Sequence, residues 1–432
     1  MHYDLTTSFV GIFSLMLFVL AYIAIAMEEH MGVNKSKPAL FVGTFLFFVI
    51  GIYFLITTGE VPHTLEATVE HVILEISEIF FFLYVAMTYI EALLERGVFD
   101  VMKAKLVKKE LSYKKLLWVS GFLTFFISAV ADNLTTALVF ATLLITIEKD
   151  NKAFLVPAAI NVVVASNAGG AWSPFGDITT LMIWNAGKAP FFDFFYLFPA
   201  AFIGWVITCY LLSLYVPKGL IRPNGDEESI AMKPGAQGVV ILGFATIAIS
   251  VFAHQVLHLP AIFGMMFGLS LLMIYSYRLK RRKNVDISIF KSISKIENDT
   301  LLFFFGLMSA VGALAYLGYL AIVADIYKDF SPTVVNIAVG FLSAIIDNVP
   351  LTYAILKANP SIAMDQWLLV ALTAGCGGSM IAFGSAAGVG VMGKMRGIYT
   401  FGSHMKYAWT VVVGFLASVG IWYLQFEIMG LY

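Results

Sequence analysis

SAVADNLTT, residues Ser128–Thr136, recurs as SAIIDNVPL, residues Ser343–Leu351, with Ser, Ala, Asp and Asn in register. Each copy places an acid and a carboxamide, Asp132-Asn133 and Asp347-Asn348, between two apolar runs. Further matches follow outward from both copies. Upstream, Phe82, Met87, Ala92 and Leu93 correspond to Phe303, Met308, Ala313 and Leu314. Downstream, Gly169-Gly170 and Phe175-Gly176 correspond to Gly377-Gly378 and Phe383-Gly384. One such match is within the reach of chance; three in the same order read as an internal repeat.

The solvent of these segments follows from composition. Of 432 residues, 60% are apolar and 13% charged, with a mean hydropathy of +0.86. Soluble domains carry about 25% charged residues, so the chain reads as an all-α polytopic membrane protein. A net charge of −1 without charged tails argues against a nucleic-acid partner. Cys209 and Cys376 lie in apolar stretches and make no disulfide framework. The sequence has no Walker loop, no dinucleotide fingerprint after a strand and no His/Cys metal cluster, so no enzyme, nucleotide or cofactor is expected. Asp4 precedes an apolar run without a basic n-region, which reads as a first span and not as a cleaved signal.

Spans of about 20 apolar residues are expected at Ser8–Met27, Pro38–Thr58, Leu74–Leu94, Phe194–Val216, Gly235–Ala253, Ile262–Tyr277, Leu301–Ile322 and Tyr407–Leu424. Two amphipathic, Lys-rich pieces, Gly97–Lys115 and Arg278–Glu297, are expected along the interface. The regions interrupted by Asp, Asn, Gly and Pro read as re-entrant hairpins, 114–148 and 332–358, each followed by a broken helix, 153–187 and 364–397. With the hairpins re-entrant, all but Lys188, Lys328 and Lys357 of the 27 Lys and Arg fall on the cytoplasmic side, and both termini lie outside. The resulting domains are a first repeat, 1–216, a cytoplasmic linker, 217–234, and a second repeat, 235–432. About five spans per half make the second copy inverted, an arrangement that points to a transporter's midplane site.

Irregular backbone at membrane depth needs protein or a watery cavity to satisfy it. Asp132 and Asp347 stand there without a Lys or Arg in the spans to pair with, so they are read as functional and not as halves of a salt bridge. A negative site suits a hard cation, and Asn133, Asn348, Ser128, Ser343 and Thr135 offer neutral oxygens nearby. In the first break, Asp177 precedes Thr179 and Thr180, with Asn167 upstream; its repeat counterpart is Ser385. Asp177 reads as an ion contact, as a helix N-cap, or as both. Glu78, counterpart of Asp299, is either a buried proton carrier or a helix-end carboxylate reaching water. His71 is either a pH sensor or an ordinary surface histidine.

SAVADNLTTALVFATLL, SNAGGAWSPFGDITTLMIW and SAIIDNVPLTYAIL, in this order, resemble the NhaD-type sodium/proton antiporters of the ion transporter superfamily over nearly the whole chain. The resemblance implies exchange of Na⁺ or Li⁺ for protons across a bacterial cytoplasmic membrane. It implies scaffold and transport domains, a homodimer embedded in lipid, and elevator-like alternating access. It also implies that Asp132, Asn133, Asn167, Asp177, Thr179, Thr180, Ser343, Asp347 and Asn348 matter for exchange, with Glu78 and His71 as additions. Buried together, Asp132, Asp347 and Asp177 cannot all ionise freely, so their protons come off as a coupled set; electrogenic exchange is expected. The alternatives are a carrier of arsenite or a dicarboxylate on the same scaffold, a membrane subunit or receptor without transport, and a channel.

Overall fold

The computed structural model describes residues 4–28, 33–108, 111–220, 231–283, 285 and 287–431. The described residues form helices and no strand; one isolated bridge joins Ser112 to Leu220. The first half comprises α1 (Phe9–Ala26), α2 (Ser36–Thr58), α3 (His63–Glu95), α4 (Val98–Val107), α5 (Tyr113–Ser128), α6 (Asn133–Ile147), α7 (Lys152–Ala171), α8 (Ile178–Asn185) and α9 (Phe198–Ser213). The second comprises α10 (Ala236–Gln255), α11 (Ala261–Lys283), α12 (Ile289–Ile293), α13 (Asn298–Tyr316), α14 (Ala321–Asp329), α15 (Pro332–Ser343), α16 (Asn348–Ala358), α17 (Met364–Gly377), α18 (Ala386–Lys394), α19 (Phe401–Met405) and α20 (Ala408–Tyr423). Eight helices among the described residues are long and apolar enough to cross a bilayer, which makes this an integral membrane protein.

The ranges 114–148 and 332–358 hold the helix pairs α5/α6 and α15/α16, and the ranges 153–187 and 364–397 hold α7/α8 and α17/α18. Three expected boundaries differ. The third span begins at His63, because the polar residues ahead of Leu74 still continue the helix. The basic stretch expected at Arg278–Glu297 is divided, its first residues continuing α11 through Lys283 and a later part forming the separate short helix α12. The span from Leu301 stops at Tyr316, where Gly318 turns the chain at φ +100° and α14 starts anew. The core of the 217–234 linker, residues 221–230, lies outside the described residues.

The chain divides into two compact units that interleave the sequence halves. The first runs to Tyr84 and adds Ile296–Ser331 and Thr352–Ser361. In it α2 and α13 approach backbone to backbone, since a Cβ on Gly43 would collide with the Gly306 carbonyl. Small residues permit such contact in lipid, where dispersion between close helices replaces the hydrophobic effect. Around this crossing Leu46, Ile50, Phe54, Ala310, Leu314 and Leu317 form a buried cluster.

The second unit comprises Val85–Lys295, Pro332–Leu351 and Ile362–Tyr432. At its centre α7 is buried without interruption from Phe154 to Ala171, and α17 from Gln366 to Gly377. A helix apolar on every side and covered on every side is an interior helix. The same close contacts occur in both sequence halves. A Cβ on Gly169 would strike the Phe125 carbonyl, and one on Gly377 the Gly340 carbonyl. Gly176 likewise faces the Ser128 carbonyl at 2.7 Å and Gly384 the Ala344 carbonyl at 2.5 Å, measured from an ideal Cβ. The Ser128 hydroxyl donates to the Ser166 carbonyl at 2.6 Å and the Ser343 hydroxyl to the Ala374 carbonyl at 2.7 Å. α5 is thereby fastened to α7 and α15 to α17, which fixes where the turns after α5 and α15 deliver their polar residues.

Candidate ion-binding site

The first tip is a tight turn closed by Asp132. Its φ of +38° with ψ 144° lies outside the left-handed helical region that Asp and Asn favour, so the turn is strained. The side chain pays back this strain locally: its carboxylate accepts from the Leu134 amide at 3.0 Å, the Thr135 amide at 3.2 Å and the Thr135 hydroxyl, capping α6. Asp347 caps α16 by accepting from the Val349 amide at 3.1 Å. With each acid turned onto its own helix start, the following carboxamide points inward.

The two carboxamides converge on Asp177. Asn133 Nδ2 donates to Asp177 Oδ2 at 2.8 Å, and Asn348 Nδ2 donates to the same oxygen at 3.1 Å and to Oδ1 at 3.4 Å. Asp177 also caps α8, accepting from the Thr179 amide at 3.0 Å. Both sequence readings of Asp177 therefore hold at once. It is 4% exposed and Asp132 6% exposed, so the carboxylates stand away from bulk water. An ionised carboxylate is acceptor-only and matches this ring of donors.

Asn167 links the two breaks. Its Oδ1 accepts from Asn133 Nδ2 at 3.1 Å, while its Nδ2 donates to Ser379 Oγ at 2.8 Å and Ser385 Oγ at 2.9 Å. Ser385 occupies the position equivalent to Asp177 and, like it, caps its short helix. Thr180 braces the first break through its hydroxyl, which donates to the carbonyls of Ser173 at 2.8 Å and Asp177 at 2.7 Å. The Thr179 hydroxyl is buried beside the same carboxylate's helix start. These residues supply carboxylate, carboxamide and hydroxyl oxygens, the donor set of a hard cation, and the described hydrogen bonds bring no ammonium or guanidinium to Asp177.

Asn133, Asn167, Asp177, Asn348 and Ser385 thus come together with Ser379, while Asp132, Thr135 and Asp347 act at the helix starts. Ser128 and Ser343 serve beneath the tips as clips to backbone. Glu78, Asp299 and His71 belong to the other compact unit. There Asp299 accepts from Asn34 Nδ2 at 2.6 Å in an exposed position. His71 is exposed and pairs with Glu75 at 3.1 Å; Glu75 also binds Lys357 at 2.6 Å and the Tyr353 hydroxyl at 2.7 Å. Glu78 is half-buried. Sequence reasoning placed Gly375 and Ser379 in the second break without making either a site residue, and an added Cβ on Gly375 would lie 3.7 Å from Asp177 Oδ2. Their signal was composition: a run of Gly and Ser in an otherwise apolar helix.

Comparison with known proteins fits this geometry. Residues 15–375 match a family model described as a citrate transporter. A protein of Alkalimonas amylolytica named Na(+)/H(+) antiporter NhaD is 40% identical, covering 97% of this chain and 91% of its own length. The chain belongs to the NhaD antiporter family. A Halomonas elongata member with the same name is 41% identical over 96% of this chain and 88% of its own. A protein of Arabidopsis thaliana named sodium/proton antiporter 1 is 32% identical over 96% of this chain and 73% of its own length. These relatives are named as transporters and not as enzymes.

Proposed function

We propose that this protein is a secondary active Na⁺(Li⁺)/H⁺ antiporter of a bacterial cytoplasmic membrane, exporting sodium in exchange for protons. The observation that carries the reading is the enclosed carboxylate of Asp177, gripped by one carboxamide from each hairpin tip, with two further acids at the tips. Na⁺ and protons compete for this set. With Na⁺ absent, protons satisfy the charge; when Na⁺ enters, carboxylate and amide oxygens ligate it and the protons leave. Like charges held together in a buried site titrate as one coupled group, so more than one proton is exchanged per Na⁺ and the cycle is electrogenic.

Alternating access follows from the inverted repeat, with the second unit as the mobile, site-bearing body of an elevator and the first as scaffold; the protein works as a homodimer with both termini outside. The family resemblance and the recurrence of each hairpin clip in both halves support this part. A second reading, a carrier of di- or tricarboxylates, is favoured by the description of the matching family model. Asp177, Asp132 and Asp347 would repel such an anion. The deciding experiment is Na⁺- and Li⁺-driven dequenching of a pH dye in inverted vesicles. Wild type dequenches, and at the same Na⁺ concentration Asp132→Asn, Asp177→Asn and Asp347→Asn give little or no signal. Citrate-driven signals without a Na⁺ response would reverse the choice.

A further inference from the structure

The second break is held from behind by a residue that the exchange reading does not use. His404 lies on α19 and is completely buried. Its Nε2 is 3.0 Å from the Met380 carbonyl oxygen, and its Nδ1 is 2.7 Å from the Tyr399 hydroxyl. A carbonyl only accepts, so Nε2 carries the hydrogen and donates to it; Nδ1 is then the acceptor for the Tyr399 O–H. One neutral tautomer satisfies both contacts. Burial pushes the His404 pKa down to about 4, which keeps that form in place.

The support around His404 is rigid. Thr400 and Ser403 form a reciprocal capping box at the start of α19, and Phe401 stacks on Phe383 with ring centroids 5.6 Å apart. Met380 and Phe383 both belong to the break, so α19 fastens it at two points. Next to Met380 stands Ser379, whose hydroxyl accepts from Asn167, which in turn accepts from Asn133 on Asp177. His404 is thus linked to the carboxylate by hydrogen bonds and, between Met380 and Ser379, by the backbone. The Met380 carbonyl is freed by the end of α17 and, on a buried residue, needs a partner.

We propose that His404 is a positioning residue for the ion site, a neutral hydrogen-bond strut that fixes the second break through Met380 and so sets Ser379 and Ser385 against Asn167. The proposal rests on the exchange reading for its kinetic test and on geometry for a second one. Gln retains a donor near the Nε2 position, whereas Asn retains only the nearer Nδ1 position. His404→Asn and His404→Ala should raise the apparent KM for Na⁺ about three- to tenfold, the value of one lost hydrogen bond, with maximal rates changed less than about twofold. His404→Gln should return the KM to within about twofold of wild type. Equal KM values in the Asn and Gln variants overturn the proposal, as does an equal fall in maximal rate with KM unchanged.

The second readout is independent of transport. Cys376, buried on α17 just before the break, is to be probed with N-ethylmaleimide in a Cys209→Ser background. Alkylation should quicken in His404→Asn and stay slow in His404→Gln; equal rates overturn the strut. Absence of any Na⁺-driven signal in wild type would sink the exchange reading, and the alkylation comparison would still decide the role of His404.

Discussion

Asp132 has two physical jobs, and replacement by Asn or Ala separates them. As a cap it accepts three hydrogen bonds at the start of α6 and sits at φ +38°. Asn also serves at an N-cap but brings one acceptor oxygen where Asp132 uses two, so Asp132→Asn should cost about 1 kcal/mol of stability. Asp132→Ala loses the cap, about 0.5–2 kcal/mol, and adds strain at the turn of about 1–3 kcal/mol. As a charge the effect is different. A carboxylate about 5 Å from Na⁺ at an effective dielectric of about 20 contributes about 3 kcal/mol, roughly 100-fold in affinity. Both substitutions remove that charge. The assays are thermal unfolding of purified protein and Na⁺-driven dye dequenching in inverted vesicles. The expected pattern is a near-native Tm for Asp132→Asn, a lower Tm for Asp132→Ala, and an apparent Na⁺ affinity weakened by roughly 100-fold in both. Near-wild-type exchange by Asp132→Asn would refute the reasoning and reduce Asp132 to a helix cap.

Other consequences follow from the same geometry. Asn133→Ala should impair Na⁺ exchange more than Asn348→Ala, because Asn133 donates at 2.8 Å to Asp177 and also holds Asn167, whereas Asn348 shares one amide over both oxygens at 3.1 and 3.4 Å; apparent KM values for the two variants check the order. Gly169→Ala and Gly377→Ala should each lower stability by about 1–3 kcal/mol, seen as a lower Tm, because the added methyl meets a backbone carbonyl that has no room to move. Gly375→Ala should fold normally, since its methyl makes only ordinary contacts with Ala171 and Asp177, but should weaken Na⁺ binding in the same vesicle assay by occupying space beside the carboxylate. His404 titrates near 4 when folded against 6.5 when exposed, so its neutral form contributes stability that is complete above pH 6.5 and is lost as pH falls toward 4. Its full loss is on the order of 3 kcal/mol, and Tm plotted against pH should be flatter in His404→Gln.

The architecture was legible because membrane depth makes polar residues conspicuous. Asp132-Asn133, Asp347-Asn348 and the Gly-rich breaks stood out against apolar runs, and the helix pairs α5/α6, α7/α8, α15/α16 and α17/α18 form where those interruptions fall. What the pattern hid was direction. Sequence spacing places acid and amide side by side but does not say which one turns back onto the helix start. The turn at Asp132 decides it, sending Asn133 to Asp177, so a single off-centre acid and two amides form the hub in place of an acid pair. Boundaries failed where polar helix continues beyond apolar span, as at His63 and Lys283, since composition marks the bilayer and not the helix end. The individual roles of Ser379 and Gly375 within the second break, and that of His404, were not legible because they come from approach between segments distant in sequence.

Proton release on Na⁺ binding is the most direct test of exchange at Asp177. Purified protein in weakly buffered detergent solution is titrated with NaCl while a pH dye is followed. Wild type should release protons saturably, and Asp177→Asn should release none at Na⁺ concentrations that saturate the wild type. Saturable Na⁺ binding without a change in pH, or proton release undiminished in Asp177→Asn, would contradict a site in which the two ions replace one another.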